Sequence, residues 1–249
     1  MYKIKNYIFF AGYLLLNPYL IKLALIHKIY LPVYVQFEWL KQYSIGTIVD
    51  VGANIGRVSR VLNHIFPTAL LFAFEPNREL IPQISKRIKS KKLTIETVAL
   101  TDKVGQITLQ TYPNSALSST LAFTNLGEKD RNPTHTNAKK IPVETTTLDH
   151  YFQTKKLQGN ILLKIDTEGA EGIILKGGKK FIKKVAIIHL ETYFDKFFEN
   201  QLLFEDIYNL LTTAGFYYLG ESRESYFYPT FYPSQVCNSI FVNKKLIKK

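Results

Sequence analysis

The stretch that decides the fold reads Thr47-Ile48-Val49-Asp50-Val51-Gly52-Ala53-Asn54-Ile55-Gly56. Its β-branched start predicts a short buried strand, and its glycines predict a tight turn that leads into a helix over residues 56–65, before Pro67. Beyond it, short β-branched runs alternate with longer amphipathic stretches. This alternation is typical of βαβ units and predicts an α/β fold with a mainly parallel sheet.

The rest of the chain fits one domain of that kind. We predict a helix over residues 202–214 and a polar loop over residues 112–138 that contacts the substrate. The length of 249 residues suits one domain at residues 45–249, preceded by a hydrophobic and aromatic helical extension at residues 1–44. Further strands are expected at residues 70–75, 93–100, 106–110, 141–144, 161–166, 185–190, 216–219 and 239–242.

The composition excludes several classes of protein. A single cysteine, Cys237, rules out an internal disulfide framework and a cysteine zinc site, and the cytoplasm is the default compartment. The formal net charge is +12, but the lysines are scattered and no nucleic-acid-binding motif accompanies them. A nucleic acid is therefore not an expected partner.

The apolar runs at residues 7–16 and 19–26 resemble a membrane element. A span needs about 20 unbroken apolar residues, and Asn17, Pro18 and Lys22 interrupt these runs. A pair of short helices fits better, either packed on the domain or lying on a membrane surface. Peripheral membrane contact through residues 1–40 is thus one of two options.

The turn after the first strand favours a cofactor without phosphates. A nicotinamide-binding turn has the pattern Gly-x-Gly-x-x-Gly, whereas Gly52 and Gly56 form Gly-x-x-x-Gly. Asp50 precedes the turn, and Glu75 ends the second strand, where an acid can accept hydrogen bonds from both hydroxyls of a ribose. Glycines are also common in strand-to-helix turns that bind no ligand. The prediction of a cofactor site therefore rests on the glycines together with Asp50 and Glu75.

Six ordered motifs in residues 45–245 resemble the FkbM family of methyltransferases. The resemblance implies a Rossmann-like, seven-stranded methyltransferase fold with the last strand antiparallel, and methyl transfer from S-adenosylmethionine to a hydroxyl. It does not reach the N-terminal forty residues or fix the acceptor, because family members methylate sugars, polyketide natural products and other molecules. The motifs are residues 49–56, 74–77, 98–102, 143–149, 164–171 and 175–178.

The resemblance also implies a set of cofactor positions. The segment from Ala99 to Asp102 would lie near the adenine, although Asp102 fits a turn before Gly105 equally well. The expected cofactor-binding residues are Asp50, Gly52, Ala53, Asn54, Gly56, Glu75, Pro76, Asn77, Ala99, Asp102 and Asp166.

Four residues are candidates for catalysis: Asp166, Glu168, His189 and Glu191. An alcohol has to lose its proton during methyl transfer, and any of the four could act as general base. The alternatives are that Asp166 holds the methionine amine, that Glu168 favours the next helix N-terminus, and that His189 is a hydrogen-bonded core residue. The carboxylates would also suit Mg²⁺, but without a tight ligand motif we assign no metal ligands.

These observations predict an S-adenosylmethionine-dependent O-methyltransferase that acts on a hydroxyl of a sugar, glycan or glycolipid. Two alternatives remain at this point: a cofactor-binding protein without activity, and an RNA methyltransferase suggested only by the net charge.

Overall fold

The computed structural model describes residues 17–131, 138–222 and 235–247. Helices α1 (Pro18–Leu25) and α2 (Leu31–Phe37) and a 3₁₀ helix (Glu38–Gln42) precede the first strand. Both α-helices have a proline in the first turn, where its missing N–H leaves no helical hydrogen bond unmade. The apolar run predicted at residues 7–16 lies outside the described residues. None of the helices described is long and apolar enough to cross a membrane.

Numbered along the chain, the remaining elements follow the predicted alternation. The helices are α3 (Arg57–Ile65), α4 (Ile81–Arg87), α5 (Asn125–Arg131), α6 (Leu148–Phe152), α7 (Glu171–Lys176) and α8 (Phe204–Thr213). The strands are β1 (Ile45–Val51), β2 (Leu70–Phe74), β3 (Leu93–Glu96), β4 (Ala99–Leu100), β5 (Gly105–Thr111), β6 (Lys139–Thr146), β7 (Asn160–Ile165), β8 (Ile187–Tyr193), β9 (Tyr217–Ser222) and β10 (Val236–Val242).

Within the described ranges, seven strands form the main sheet in the order β3-β2-β1-β7-β8-β10-β9. The pairs β3–β2, β2–β1, β1–β7 and β7–β8 are parallel, whereas the last strand, β10, is antiparallel to both β8 and β9. This arrangement confirms the predicted fold class. The order reverses beside β1, so the carboxyl ends of β1 and β7 open a crevice of the kind in which α/β sheets bind ligands.

Apolar side chains cover both faces of this sheet. Ile48 and Leu162 face a cluster that contains Leu62 of α3 and Ile84 of α4. Their neighbours in the strands point to the opposite cluster, which contains residues of α6, α7 and α8. Strands buried on both faces read as continuous apolar runs, which is why the sequence pattern located them well.

The single strand predicted at residues 93–100 is wrong. The chain leaves the main sheet after Glu96, and Ala99 and Leu100 pair instead with Thr145 and Thr146 in a second sheet of order β4-β6-β5. Ala99 there packs against residues of β5 and β6. An apolar run shows that a segment is buried but not which sheet it joins.

The polar stretch at residues 112–138 has more regular structure than predicted. It contains a 3₁₀ helix (Ser115–Leu117) and helix α5, while residues 132–137 are outside the described part. Gln110 and Ser119 form an isolated β-bridge that turns the stretch back along β5. Its first half therefore has a defined path.

Candidate active site

A cavity of about 510 Å³ lies at the carboxyl ends of β1, β2, β7 and β8. Volumes of roughly 300–1,000 Å³ are typical of pockets that enclose small ligands. Helix α2 forms one wall, and the stretch from Asn114 to Thr120 forms another. The floor is polar and carries residues that follow β2 and β7 and residues within β8.

The turn after β1 is shaped by its first glycine. Gly52 has a φ of 76°, and a Cβ atom at this position would lie 1.9 Å from the backbone oxygen of Asp166. Only glycine allows β1 and β7 to approach so closely with that backbone conformation. The N–H groups of Gly52 and Ala53 donate to the Phe74 carbonyl, which ties the turn to β2.

Glu75 links the glycine turn to the end of β2. One carboxylate oxygen accepts the N–H of Asn54 at 2.8 Å, and the other accepts the N–H of Asn77 at 2.8 Å. Burial raises the pKa of Glu75, whereas these two hydrogen bonds oppose the rise. Each carboxylate oxygen has a second lone pair, so Glu75 can still accept hydrogen bonds from a ligand in the cavity.

A buried ion pair lies directly beneath the turn. The ammonium of Lys164 is 3.0 Å from a carboxylate oxygen of Asp50 and 3.5 Å from one of Asp166, and it donates to the Gly52 carbonyl at 3.2 Å. Ser59 donates a further hydrogen bond to Asp50. Because Asp50 and Lys164 are both buried away from water, each charge is stabilised by the opposite charge of its partner.

Acidic side chains converge on the other side of the cavity. Tyr193 donates its hydroxyl proton toward Glu191 at 2.5 Å and toward Glu168 at 3.2 Å. Burial and the nearby carboxylates of Asp166, Glu168 and Glu171 raise the pKa of Glu191 well above its ordinary value. A carboxylate of this kind is more basic near neutral pH than an exposed one, which suits a general base.

His189 has a different environment from these carboxylates. Its Nε2 lies 2.6 Å from the Ser222 hydroxyl, and its ring packs on Phe37 at 4.6 Å. Burial and the positive charge of Lys164 lower the pKa of His189 to about 3. The imidazole is therefore neutral and only weakly basic at physiological pH.

Comparison with known proteins identifies the family. The model of the methyltransferase FkbM domain matches residues 50–218 of this chain. The chain belongs to the FkbM methyltransferase family. The predicted resemblance and the predicted class of enzyme, an S-adenosylmethionine-dependent methyltransferase, are thereby confirmed.

Individual methyltransferases are moderately similar to the chain. The 2-O-methyltransferase NoeI of Sinorhizobium fredii (strain NBRC 101917 / NGR234) is 27% identical over 176 residues, which cover 66% of this chain and 70% of NoeI. Methyltransferase sdnD of Sordaria araneosa is 31% identical over 153 residues, covering 52% of this chain and 59% of sdnD. The crystal structure of methyltransferase FkbM from Methylobacillus flagellatus KT superposes with a TM-score of 0.49 at 14% identity, covering 80% of this chain and 43% of that chain.

The cavity of this FkbM methyltransferase fits the family's cofactor. Glu75 has lone pairs that would accept hydrogen bonds from a ribose diol, and Gly52 allows the turn to pack tightly against Asp166 beside it. Apolar wall residues Val98 and Leu100 suit the flat face of an adenine. S-adenosylmethionine, when bound here, supplies an activated methyl group.

The structure brings most of the predicted site residues to this cavity. All four catalytic candidates line it, as do seven of the cofactor candidates: Gly52, Ala53, Asn54, Glu75, Pro76, Ala99 and Asp166. The other four lie outside the lining. Asp50 is paired with Lys164, Gly56 is the N-cap residue of α3, Asn77 caps the 3₁₀ helix Arg78–Leu80, and Asp102 is an exposed residue in a bend.

The predicted metal option has a geometric counterpart. Asp166, Glu168 and Glu191 each offer one oxygen, and these oxygens lie within 4.8 Å of one another. One divalent cation could bridge such a set, so the Mg²⁺ option stays a prediction.

Sequence reasoning missed two groups of residues in the site. Lys164 and Tyr193 received no role, although a lysine inside an apolar strand signals a buried charge that needs a partner. Tyr193 follows Glu191 by two positions, so strand periodicity places both on one face. No sequence signal indicated that Tyr30 and the α2 residue Phe37 line the cavity, because this depends on how the N-terminal helices pack.

Proposed function

We propose that this FkbM methyltransferase transfers the methyl group of S-adenosylmethionine to a neutral hydroxyl of a sugar or glycan. The observation that carries the proposal is the cluster of Asp166, Glu168 and Glu191 on the cavity floor. Tyr193 hydrogen-bonds to the two glutamates of this cluster. Glu191 accepts the proton of the acceptor hydroxyl, and the walls align the acceptor oxygen with the methyl group.

The charge of the cluster supports a neutral acceptor. Lys164 offsets part of the charge of Asp166, but three carboxyl oxygens within 4.8 Å of one another still disfavour an incoming phosphate or carboxylate group, whereas hydroxyls can donate hydrogen bonds to them. The same repulsion disfavours RNA as the acceptor, despite the positive net charge of the whole chain. The similarity to NoeI, which is named a 2-O-methyltransferase, supports oxygen as the methylated atom.

The wall opposite the floor supports a hydroxyl-rich acceptor. Asn114, Ser115, Ser119 and Thr120 line it, and Ser115 donates to Asn54 at 2.8 Å, so the wall is fixed to the glycine turn. The buried Ser118 hydroxyl finds no hydrogen-bond partner among the described residues. A polar group of a bound acceptor would supply the missing hydrogen bond to such a hydroxyl.

Methyl-transfer assays test this proposal. Purified protein and labelled cofactor are incubated with neutral glycans, with matched anionic glycans and with RNA, and incorporated label is counted. We expect label in neutral glycans. Label confined to anionic glycans or RNA would refute the proposed acceptor class, and cofactor binding without turnover on any acceptor would favour the cofactor-binding alternative.

Variants assign the roles of the carboxylates. Glu191→Gln should lower kcat about 10²–10⁴-fold, the usual contribution of a general base, with cofactor affinity retained. Asp166→Ala should also abolish turnover in a folded protein. Glu199→Gln is the matched control because Glu199 is exposed and outside the cavity lining. Wild-type turnover in Glu191→Gln would remove Glu191 as the base.

A further inference from the structure

The segment from α1 to Tyr30 leaves large apolar side chains on the surface. Its inner face is anchored by Leu20 and Leu23, which are buried against α2 and α3. The exposed side chains, with their exposed fractions, are Tyr19 at 53%, Leu25 at 74%, Ile26 at 67% and Tyr30 at 50%. Soluble proteins rarely group such residues without a binding role.

The charged side chains of this segment have one sign. Residues 1–37 contain no aspartate or glutamate, although the whole chain has 20. The side chains of Lys22 and Lys28 are exposed among the apolar residues, and the Arg57 guanidinium lies 5.3 Å from the centre of the Tyr30 ring. Segments that combine apolar side chains with lysines and lack acidic residues are typical of helices that lie on anionic lipid surfaces.

We propose that the N-terminal apolar surface, formed by Tyr19, Lys22, Leu25, Ile26, Lys28 and Tyr30, docks on an anionic phospholipid bilayer. The apolar side chains enter the headgroup region while the two lysines contact lipid phosphates. A protein partner is a weaker fit, because protein interfaces usually carry acidic as well as basic groups around their apolar centre.

Docking has a consequence for access to the active site. Tyr30 belongs both to the N-terminal apolar surface and to the cavity lining, and Val33 and Phe37 continue the same wall inward. A docked protein would hold this wall of the cavity close to the bilayer, where a glycolipid could present its sugar. This consequence rests on the proposed function, whereas the docking itself does not.

Vesicle sedimentation of the full chain tests the docking. Protein is spun with vesicles of equimolar phosphatidylcholine and phosphatidylglycerol, and with vesicles of phosphatidylcholine alone. Leu25→Glu/Ile26→Glu is compared with Val104→Glu/Leu219→Glu, which adds the same charge at two exposed apolar positions elsewhere. We expect salt-sensitive binding to the anionic vesicles, at least about tenfold weaker for the Leu25/Ile26 pair and unchanged for the control pair.

Three outcomes would overturn the inference. Wild-type protein that stays in the supernatant at low salt excludes the bilayer, and equal loss of binding in both double variants excludes this surface. Light scattering that shows a wild-type dimer and a Leu25→Glu/Ile26→Glu monomer assigns the surface to a second copy of the chain. Turnover on a soluble acceptor, measured without vesicles, should be unchanged; absence of turnover in every protein would count against the proposed function alone.

Discussion

Replacing Lys164 by methionine should destabilise the protein strongly. Methionine is unbranched like lysine and fills similar space, so the change removes the charge more than the packing. Asp50 would then be a fully buried carboxylate with Ser59 as its remaining hydrogen-bond donor. Breaking a buried ion pair by removing one partner costs about 3–5 kcal/mol. The loss would be a large part of the usual stability of a domain, about 5–15 kcal/mol.

The pKa of Lys164 determines the pH range in which the ion pair with Asp50 stabilises the protein. Burial alone would lower the pKa of Lys164, but the Asp50 and Asp166 carboxylates more than offset it and raise the pKa above its ordinary value of 10.5. A raised lysine pKa contributes stability that is fully present below 10.5 and is lost as the pH rises through the folded-state value. Measurements at neutral pH therefore capture the whole effect.

Urea unfolding of four proteins measures the interaction energy between Lys164 and Asp50. The four proteins are the wild type, Lys164→Met, Asp50→Asn and the double variant. The double variant should be less destabilised than the sum of the single ones by about 2–3 kcal/mol, because neither charge is then left alone. Lys91→Met, at an exposed position, is the control. A Lys164→Met protein within about 0.5 kcal/mol of wild type, the range of ordinary surface changes, would refute the reasoning.

Three further variants test other parts of the site. Glu75→Ala should weaken cofactor binding at least tenfold in calorimetry while the circular dichroism spectrum stays that of wild type; unchanged affinity would remove Glu75 from the ribose site. Tyr193→Phe removes a hydrogen bond that lowers the pKa of Glu191, so the acidic limb of the kcat/KM profile should move to higher pH. The control is Tyr151→Phe, which removes a tyrosine–glutamate hydrogen bond outside the cavity and should leave the acidic limb unchanged. Burial raises the pKa of Glu171 from 4.5 to about 7. The free energy of unfolding of the wild type should therefore decrease by up to about 3 kcal/mol as the pH rises from 4.5 to 7. In urea unfolding, Glu171→Gln should show a smaller decrease over this range. An equal decrease in both proteins would contradict the prediction.

Local pattern was enough to predict the central strands and the glycine turn after β1. Strands β1 and β7 are buried on both faces, so their apolar runs stand out, and Gly52 marks a backbone conformation that other residues avoid. Glu75 was found because the end of one parallel strand lies beside the end of the next. These features are set by residues close together in sequence.

Features that depend on distant segments were not predictable in the same way. The division of residues 93–100 between two sheets depends on pairing with Thr145 and Thr146, some 45 residues away along the chain. Asp50 is among the predicted cofactor-binding residues, but its ion pair with the Lys164 ammonium, at 3.0 Å, was not predicted. A motif shows which residue types a site needs, but not which of them neutralise one another beneath it.

The measurement that tests the central claim most directly is calorimetric titration of the purified chain with S-adenosylmethionine. The carboxyl edge of β1 and β2 predicts saturable binding of one cofactor per chain. Gly56→Leu, at a position where a Cβ would lie 3.2 Å from the Ile84 Cα, tests the packing behind the turn. Ala53→Trp places a large side chain in the cavity wall and should abolish the heat of cofactor binding. Wild-type protein that is folded yet gives no saturable binding would contradict the account.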